Sequence, residues 1–156
     1  IRLSLVGSEM CIRDSADNPE FFDLLQQNDA HVVSDNTGFG TRAADVLICE
    51  DGDPLEAIIN YYFEEKPAAT RQMGTQVERM ERLLDLVKQY KADGVVASRL
   101  YMCDLWAFEH FLMRKRLHEN NVPFLELEVD YTPEGQGQIK TRVQAFVESL
   151  ADRQTA

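Results

Sequence analysis

The alternation of strand-like and helix-like segments constrains the fold of this chain more than any other feature. Short β-branched or apolar runs lie at His31–Asp35, Gly94–Ser98 and Val122–Val129, and longer amphipathic patterns separate and follow them. The run Gly94–Ser98 is almost continuously apolar, which is typical of a parallel strand covered on both faces. We therefore predict an α/β fold, a Rossmann-like (flavodoxin-like) open parallel sheet with helices on both faces.

The predicted helices have recognisable start signals. Asp53 and Pro54 form a cap followed by a proline in the first turn, and Thr75 to Glu78 reads as a capping box. Further helices are predicted near Asp104–Asn120 and Ile139–Leu150. The apolar faces that follow Asp53 and Asp104 are predicted to comprise Leu55, Ile58, Ile59, Tyr62 and Phe63 in the first helix, and Leu105, Phe108, Phe111, Leu112 and Leu117 in the second.

Charge and cysteine content exclude several classes of protein. The 156 residues include 16 Lys and Arg against 27 Asp and Glu, a formal charge of −11, so nucleic acid is not an expected partner. No apolar stretch approaches the ~20 residues of a membrane span. The three cysteines Cys11, Cys49 and Cys103 are too few for a disulfide scaffold, which favours a reducing, cytoplasmic setting. Cys49 follows an apolar run and is predicted to lie in the core.

The first fifteen residues are predicted to be a non-native artefact. The run Ser4 to Ser15 (SLVGSEMCIRDS) resembles translated sequencing-adapter sequence, and its apolar patch is too short for a signal peptide. We therefore leave residues 1–15 out of the fold prediction and assign residues 16–156 to one α/β domain of a truncated polypeptide.

Candidate functional residues lie in loops that follow the predicted strands, because ligands of open parallel sheets bind at the carboxyl ends of strands. The three loops are Asn36–Arg42, Arg99–Asp104 and Asp130–Gln138. In the second, Cys103 directly precedes a helix, whose positive dipole end favours a thiolate and metal binding. A half-buried structural cysteine explains the same position, and the residues alone leave both interpretations open.

Other candidates have simpler explanations. Glu126, Glu128 and Asp130 alternate along one strand, which is typical of outward-facing polar residues and less so of a general acid/base group. His110 and His118 lie eight residues apart in one helix, too far for joint ligation of a metal.

Several segments together resemble the 2-hydroxyacyl-CoA dehydratase family, which includes the related benzoyl-CoA reductase subunits. The resemblance extends over roughly Asp17 to Leu150 and is most specific where a Cys-Asp pair follows a strand and a Gly-Gln…Thr-Arg…Ala-Phe pattern begins a helix. The segments are Val32–Asp35, Gly40–Arg42, Asp53–Ala57, Ala92–Val96, Cys103–Trp106, Asn121–Tyr131 and Gly137–Glu148.

The resemblance implies a role for Cys103. Subunits of this family are about three times as long as this chain, and each binds a [4Fe–4S] cluster through three cysteines. Cys103 matches the ligand from the C-terminal domain, and two further ligands are expected upstream, where this chain lacks them. The resemblance assigns no catalytic residue to the chain, and the isolated chain is expected to be inactive.

The resemblance also implies substrates and partners. These are an acyl-CoA thioester, a second homologous subunit in a heterodimer, and an ATP-dependent iron–sulfur activator protein that delivers one electron. In the dehydratases that electron makes a ketyl radical, and in the reductases it reduces an aromatic ring; both imply an anaerobic host. Arg42, Gly137, Gln138 and Arg142 are candidates to contact the substrate or the surroundings of the cluster. The loop at Asn36–Gly38 is more polar than in many family members. The alternatives are a non-catalytic α/β binding module with a structural cysteine, or an inactive fragment.

Overall fold

The structure, a computed structural model, describes residues 2–6, 19–37, 42, 46–66, 74–130 and 136–155, without the side chains of 3–6, 19–21, 105, 136 and 154. In chain order the elements are β1 (Arg2–Val6), α1 (Pro19–Gln26), β2 (His31–Asp35), α2 (Pro54–Asn60), a π-helical turn (Tyr61–Glu65), α3 (Gln76–Gln89), β3 (Gly94–Leu100), α4 (Asp104–Glu119), β4 (Phe124–Val129) and α5 (Gln136–Thr155).

Four strands form a parallel sheet in the order β2-β1-β3-β4. In register, Leu3 lies opposite Gly94, and Val95 lies opposite Phe124. Strands with intervening helices and wholly parallel pairing are those of an α/β protein, so the α/β part of the predicted fold class is confirmed.

Leaving the first residues out of the fold prediction missed a strand. Arg2–Val6 forms β1 and pairs with both β2 and β3. Its start is fixed by Asp93, whose backbone N–H donates to the Arg2 carbonyl at 2.7 Å and whose carboxylate accepts the Arg2 N–H at 2.7 Å. Because neighbours on both sides provide its hydrogen bonds, five residues suffice for a strand. The predicted artefactual origin of residues 1–15 stays a prediction, and residues 7–18 lie outside the described part of the chain.

Two apolar clusters cover the two faces of the sheet. On one face, Leu25 of α1 and Val143, Val147 and Leu150 of α5 pack against Val96. The opposite cluster comprises Met80, Leu83, Leu84 and Val87 of α3, Val95 and Ala97 of β3, and Trp106, Met113 and Leu117 of α4. Since successive residues of β3 face opposite clusters, this strand is buried on both sides, as its apolar sequence predicted.

The predicted inward face of α4 is correct at Leu117, which is buried, and wrong at Phe108 and Phe111. Phe108 and Phe111 are 63% and 60% exposed. The buried face instead contains two polar residues beside its apolar ones: Trp106, Glu109, His110, Met113 and Leu117. Glu109 and His110 are accommodated there because charged groups of other elements lie against them, as described below.

The segment around α2 is also more exposed than predicted. Asp53 caps α2 as expected, accepting the Leu55 N–H at 2.8 Å. However, none of the residues of α2 is buried, and only Tyr61 is buried in the turn that follows. Cys49 is exposed and not in the core, because Val46 to Glu50 forms no strand. The predicted helix stop at Pro67 lies outside the described residues.

Among the described residues, no helix combines the length and the apolar character needed to cross a membrane.

Candidate functional site

Cys103 lies at the carboxyl edge of the sheet, in the short connection from β3 to α4. Its backbone N–H donates to the Leu100 carbonyl at 3.1 Å, and its own carbonyl accepts the Ala107 N–H at 3.0 Å. The residue caps α4, but its side chain makes no capping hydrogen bond. The thiol is half-buried and packs against the cluster formed by α3 and α4. This position, predicted from the sequence, leaves the sulfur near the helix N-terminus and its backbone donors.

The turn before Cys103 projects large side chains into solvent. Met102 adopts a left-handed backbone conformation with a φ of 63°, which is uncommon for a non-glycine residue. Tyr101 is 64% and Met102 75% exposed. The approach to the Cys103 thiol is therefore bordered on this side by exposed apolar groups.

The described residues do not provide a complete set of cluster ligands. No group of three or more His, Cys, Asp or Glu side chains that could hold a metal ion occurs among them. Cys103 by itself could not hold an iron–sulfur cluster, because such a cluster is typically bound by several cysteine thiolates.

A second polar group lies between the connection after β2 and helices α3 and α4. Arg79 donates through Nε to Oε1 of Glu109 at 2.8 Å and through Nη2 to Oε2 at 3.0 Å. Both side chains are almost completely buried. Thr75 is the N-cap of α3, as predicted, but it makes no side-chain capping bond; its hydroxyl accepts a hydrogen bond from Arg79 instead.

Arg42, a predicted candidate, belongs to the same group. Its side chain is only 6% exposed. Burial, followed by the positive charges of Arg82 and Arg79, lowers the pKa of Arg42 from its usual value to about 10. The positive charges of Arg79 and Arg82 thus act electrostatically on the buried Arg42.

A third polar network surrounds Glu126 on the edge strand β4. Arg99 donates to Glu126 at 3.2 Å and to Glu128 at 3.0 Å, and Arg114 also pairs with Glu126. Although burial raises the pKa of Glu126, the hydrogen bonds from Arg99 and Arg114 help to lower it below its usual value. Glu126 is therefore an ionised structural carboxylate at neutral pH, and Glu128 is exposed as the outward-facing interpretation predicted.

His110 lies beside this network with its ring completely buried. Nδ1 is 3.4 Å from Oε1 of Glu126, and the ring makes edge contacts with Trp106 and Phe124. Neither ring nitrogen makes a hydrogen bond within the described structure. Burial lowers the pKa of His110 more than the nearby Glu126 raises it, so the ring is neutral at pH 7.

The remaining candidates lie on the first turns of α5. Gly137, Gln138 and Arg142 are exposed, and Arg142 donates to the backbone carbonyl of Glu126 at 2.7 Å. Arg142 therefore connects α5 to β4. No contact among the described residues brings these three together with Cys103 or Arg42.

Sequence reasoning missed most of the buried polar residues. Arg79 and Glu109 lie inside helices and belong to no short motif, and His110 was considered only as a metal ligand. The spacing of Thr75 and Arg79 by one helical turn was the only local signal for this contact.

Comparison with known proteins identifies relatives of the chain. Residues 2–150 match the family described as 2-hydroxyglutaryl-CoA dehydratase, D-component. The chain is 28% identical over 127 residues to the putative dehydratase subunit YjiM of Escherichia coli, covering 81% of this chain and 32% of that protein. It is 24% identical over 139 residues to the (R)-phenyllactyl-CoA dehydratase beta subunit of Clostridium sporogenes, covering 86% and 36%.

A third relative has similar coverage. The (R)-2-hydroxyglutaryl-CoA dehydratase subunit beta of Acidaminococcus fermentans is 25% identical over 140 residues, covering 85% of this chain and 36% of that protein. The chain thus spans about a third of the length of the curated relatives that it matches.

Proposed function

Because the chain belongs to the 2-hydroxyglutaryl-CoA dehydratase D-component family, we propose that it is part of a subunit of an enzyme that dehydrates a 2-hydroxyacyl-CoA thioester. Relatives named as dehydratase subunits of three bacteria support the reaction class. The alternative reaction within this proposal is that of the benzoyl-CoA reductase branch, which reduces an aromatic ring. In this proposal the four parallel strands, with helices on both faces, form a Rossmann-like (flavodoxin-like) open sheet.

The observation that supports this proposal best is the position of Cys103. It lies after a buried parallel strand and caps α4 without a hydrogen bond from its side chain, so its sulfur is available to a metal. We propose that it is one ligand of a [4Fe–4S] cluster, whose two other cysteine ligands lie outside this chain. When bound, such a cluster supplies one-electron chemistry, which in dehydratases of this type generates a ketyl radical.

The partners in this proposal follow from the reaction. The relatives are named as beta subunits, and a second homologous subunit would complete a heterodimer. A separate ATP-dependent iron–sulfur activator would deliver the electron, and the acyl-CoA would be the substrate. Because thiolate ligands must stay reduced, we propose that the enzyme is cytoplasmic and that its host is anaerobic. On its own, this chain would be inactive.

Among the other candidates, Arg42 has the environment of a substrate-binding residue, because it is a buried cation at the carboxyl edge of the sheet. Gly137 and Gln138 are exposed at the start of α5, where backbone N–H groups are available to a ligand. Arg142 is already bound to the Glu126 carbonyl, and we propose for it a role in holding α5 against β4.

The test is anaerobic purification of the complete subunit, with iron and sulfide quantified and the cluster spectrum recorded. We expect Cys103→Ser to lower the iron content and to change the spectrum. Cys49→Ser is the matched control, because Cys49 is exposed and its thiol makes only a long 3.8 Å contact to the Asp51 carbonyl. Equal iron in Cys103→Ser and the unmodified subunit would contradict the assignment of this ligand.

The second candidate is a non-catalytic α/β module in which Cys103 is structural. The observation that favours it is the packing of Cys103 against the apolar cluster of α3 and α4. In that case Cys103→Ser would lower the free energy of unfolding while the iron content, if any, stayed the same.

A further inference from the structure

The helix α2 and the π-helical turn after it expose an apolar face to solvent. Five large apolar side chains recur at helical spacing along these two elements. They are 44–78% exposed and are called here the apolar stripe: Leu55, Ile58, Ile59, Tyr62 and Phe63. The least exposed positions lie on another side of the helix, at Ala57, which is half-buried, and Tyr61, which is 5% exposed. The helix therefore turns its apolar side away from the rest of the chain.

The area of the apolar stripe suits a contact between domains. At these exposed fractions, the stripe presents roughly 300–500 Å² of apolar surface, taking about 150–250 Å² for an aromatic side chain and less for an aliphatic one. A contact that covers it buries about twice that area, within the range of about 600–1,500 Å² for interfaces between domains of one polypeptide. Stable complexes of separate proteins bury about 1,200–2,000 Å². The stripe is thus large enough to dock a domain of the same polypeptide and small for a separate subunit.

The charges beside the stripe disfavour two other occupants. Glu56, Glu64 and Glu65 are exposed, whereas the cation Lys66 lies 5.0 Å from the centre of the Tyr62 ring. A second copy of the chain would bring the same carboxylates together, and each copy carries a formal charge of −11. Helices that lie on membranes are typically rich in Lys and Arg on their polar face, and this helix is acidic there. The charges fit a protein surface with an apolar centre and a border of Lys and Arg.

The relatives contain additional polypeptide that could provide such a surface. The chain spans about a third of their length, so about two thirds of each relative has no counterpart in this chain. A domain tethered in the same polypeptide binds at high effective concentration, and a modest interface therefore suffices to hold it.

We propose that the apolar stripe docks on another domain of the same subunit, on an apolar surface bordered by Lys and Arg side chains. In the docked state Ile59, near the middle of the stripe, is covered, and Glu56 faces the basic border. The inference rests on the proposed function only in taking the chain as part of a longer subunit. It requires neither the cluster nor the reaction.

Hydrogen exchange followed by mass spectrometry tests the docking, with the complete subunit and this chain alone compared under the same conditions. We expect amide exchange in α2 to be about tenfold or more slower in the complete subunit, because burial of the stripe opposes local opening of the helix. Exchange in β3, which is buried within this chain, should be alike in both and serves as the internal reference.

Two variants separate docking from the stability of the helix. Ile59→Asp places a charge within the stripe and should abolish most of the difference in exchange, because an unpaired charge is costly to bury. Asn60→Asp is the matched control, because it adds the same charge at the next residue, which is exposed and lies outside the stripe. In the chain alone, both variants should unfold at about the same temperature as the unmodified chain. Phe63→Ser, at the most exposed position of the stripe, repeats the test if Ile59→Asp does not fold.

Four results would overturn the proposal. One is equal exchange of α2 in the complete subunit and in the chain alone, and another is an equal loss of protection in Ile59→Asp and Asn60→Asp. The third is a dimer of the chain in sedimentation velocity that Ile59→Asp abolishes, which would assign the stripe to a second copy. The fourth is protection of α2 that arises only when a second subunit or phosphatidylglycerol vesicles are added. None of these results depends on the iron content of the Cys103 variants, so this inference and the proposed function can fail separately.

Discussion

Removal of the Glu109 carboxylate should destabilise the chain more than removal of any exposed acid. In Glu109→Ala, the buried Arg79 guanidinium loses two hydrogen bonds of 2.8 and 3.0 Å and the opposite charge beside it. Breaking a buried ion pair by removing one partner costs about 3–5 kcal/mol. The Thr75 hydroxyl remains as an acceptor, so we expect a loss near 3 kcal/mol, the lower end of that range.

Urea denaturation followed by circular dichroism measures this loss. With a slope of about 1–3 kcal/mol per molar urea, the midpoint should fall by about 1–3 M. Glu119→Ala is the matched control on the same helix, because Glu119 pairs with Arg116 at an exposed position and should cost less than about 1 kcal/mol. The double variant Arg79→Ala/Glu109→Ala should lose less than the sum of the single variants. If Glu109→Ala costs no more than Glu119→Ala, the argument from the buried pair is refuted.

Three further outcomes follow from the structure. Gly94→Ala should lower the free energy of unfolding by about 1 kcal/mol or more, because the new methyl group would lie 2.9 Å from Cζ of Phe146. Gly137→Ala is the control and should not destabilise the chain, because no atom lies within 4 Å of the added methyl group. Equal losses of the two variants in urea titrations would disprove the packing argument. Because burial keeps the pKa of His110 below 6.5, the unfolded chain takes up the proton first, so stability should be complete above pH 6.5 and fall as the pH decreases below it. Urea titrations at pH 7.0 and 5.5 should show a smaller fall in His110→Leu than in the unmodified chain, and an unchanged fall would contradict the sign. Asp53→Ala removes the cap of α2, which should cost about 0.5–2 kcal/mol of helix stability and therefore speed amide hydrogen exchange in α2. Exchange in α3 should stay the same. Unchanged exchange in α2 would show that the cap contributes nothing.

The sequence predicts most elements of this fold because local periodicity is strong in them. The helices α3, α4 and α5 and the strands β2, β3 and β4 lie close to their predicted positions. The strand β1 was missed because its segment was judged by its resemblance to adapter sequence. Five residues paired on both sides depend on their neighbours for stability and not on a pattern of their own.

The candidate site was predicted only where a residue follows a strand. Cys103 lies three residues after the end of β3, so topology places it at the carboxyl edge, and Arg42 was a candidate because it lies in the loop that follows β2. Arg79, Arg82 and Glu109 lie inside helices. Their roles depend on contacts between residues that are far apart in sequence, such as Arg79 and Glu109 thirty residues apart, and no local pattern contains that information.

The error in the face of α4 has a physical cause that bears on function. Hydrophobicity alone predicts that Phe108 and Phe111 are buried. The helix instead buries Glu109, which pairs with Arg79, and His110, which lies beside Glu126. A bidentate ion pair tolerates little sliding or rotation, so the Arg79–Glu109 contact fixes α4 against α3 more specifically than apolar packing does. Cys103 is the N-cap of that same helix. Because Glu109 lies six residues after Cys103 in the same helix, we expect loss of the Arg79–Glu109 pair to loosen the helix that Cys103 caps, and with it a cluster ligand proposed at Cys103.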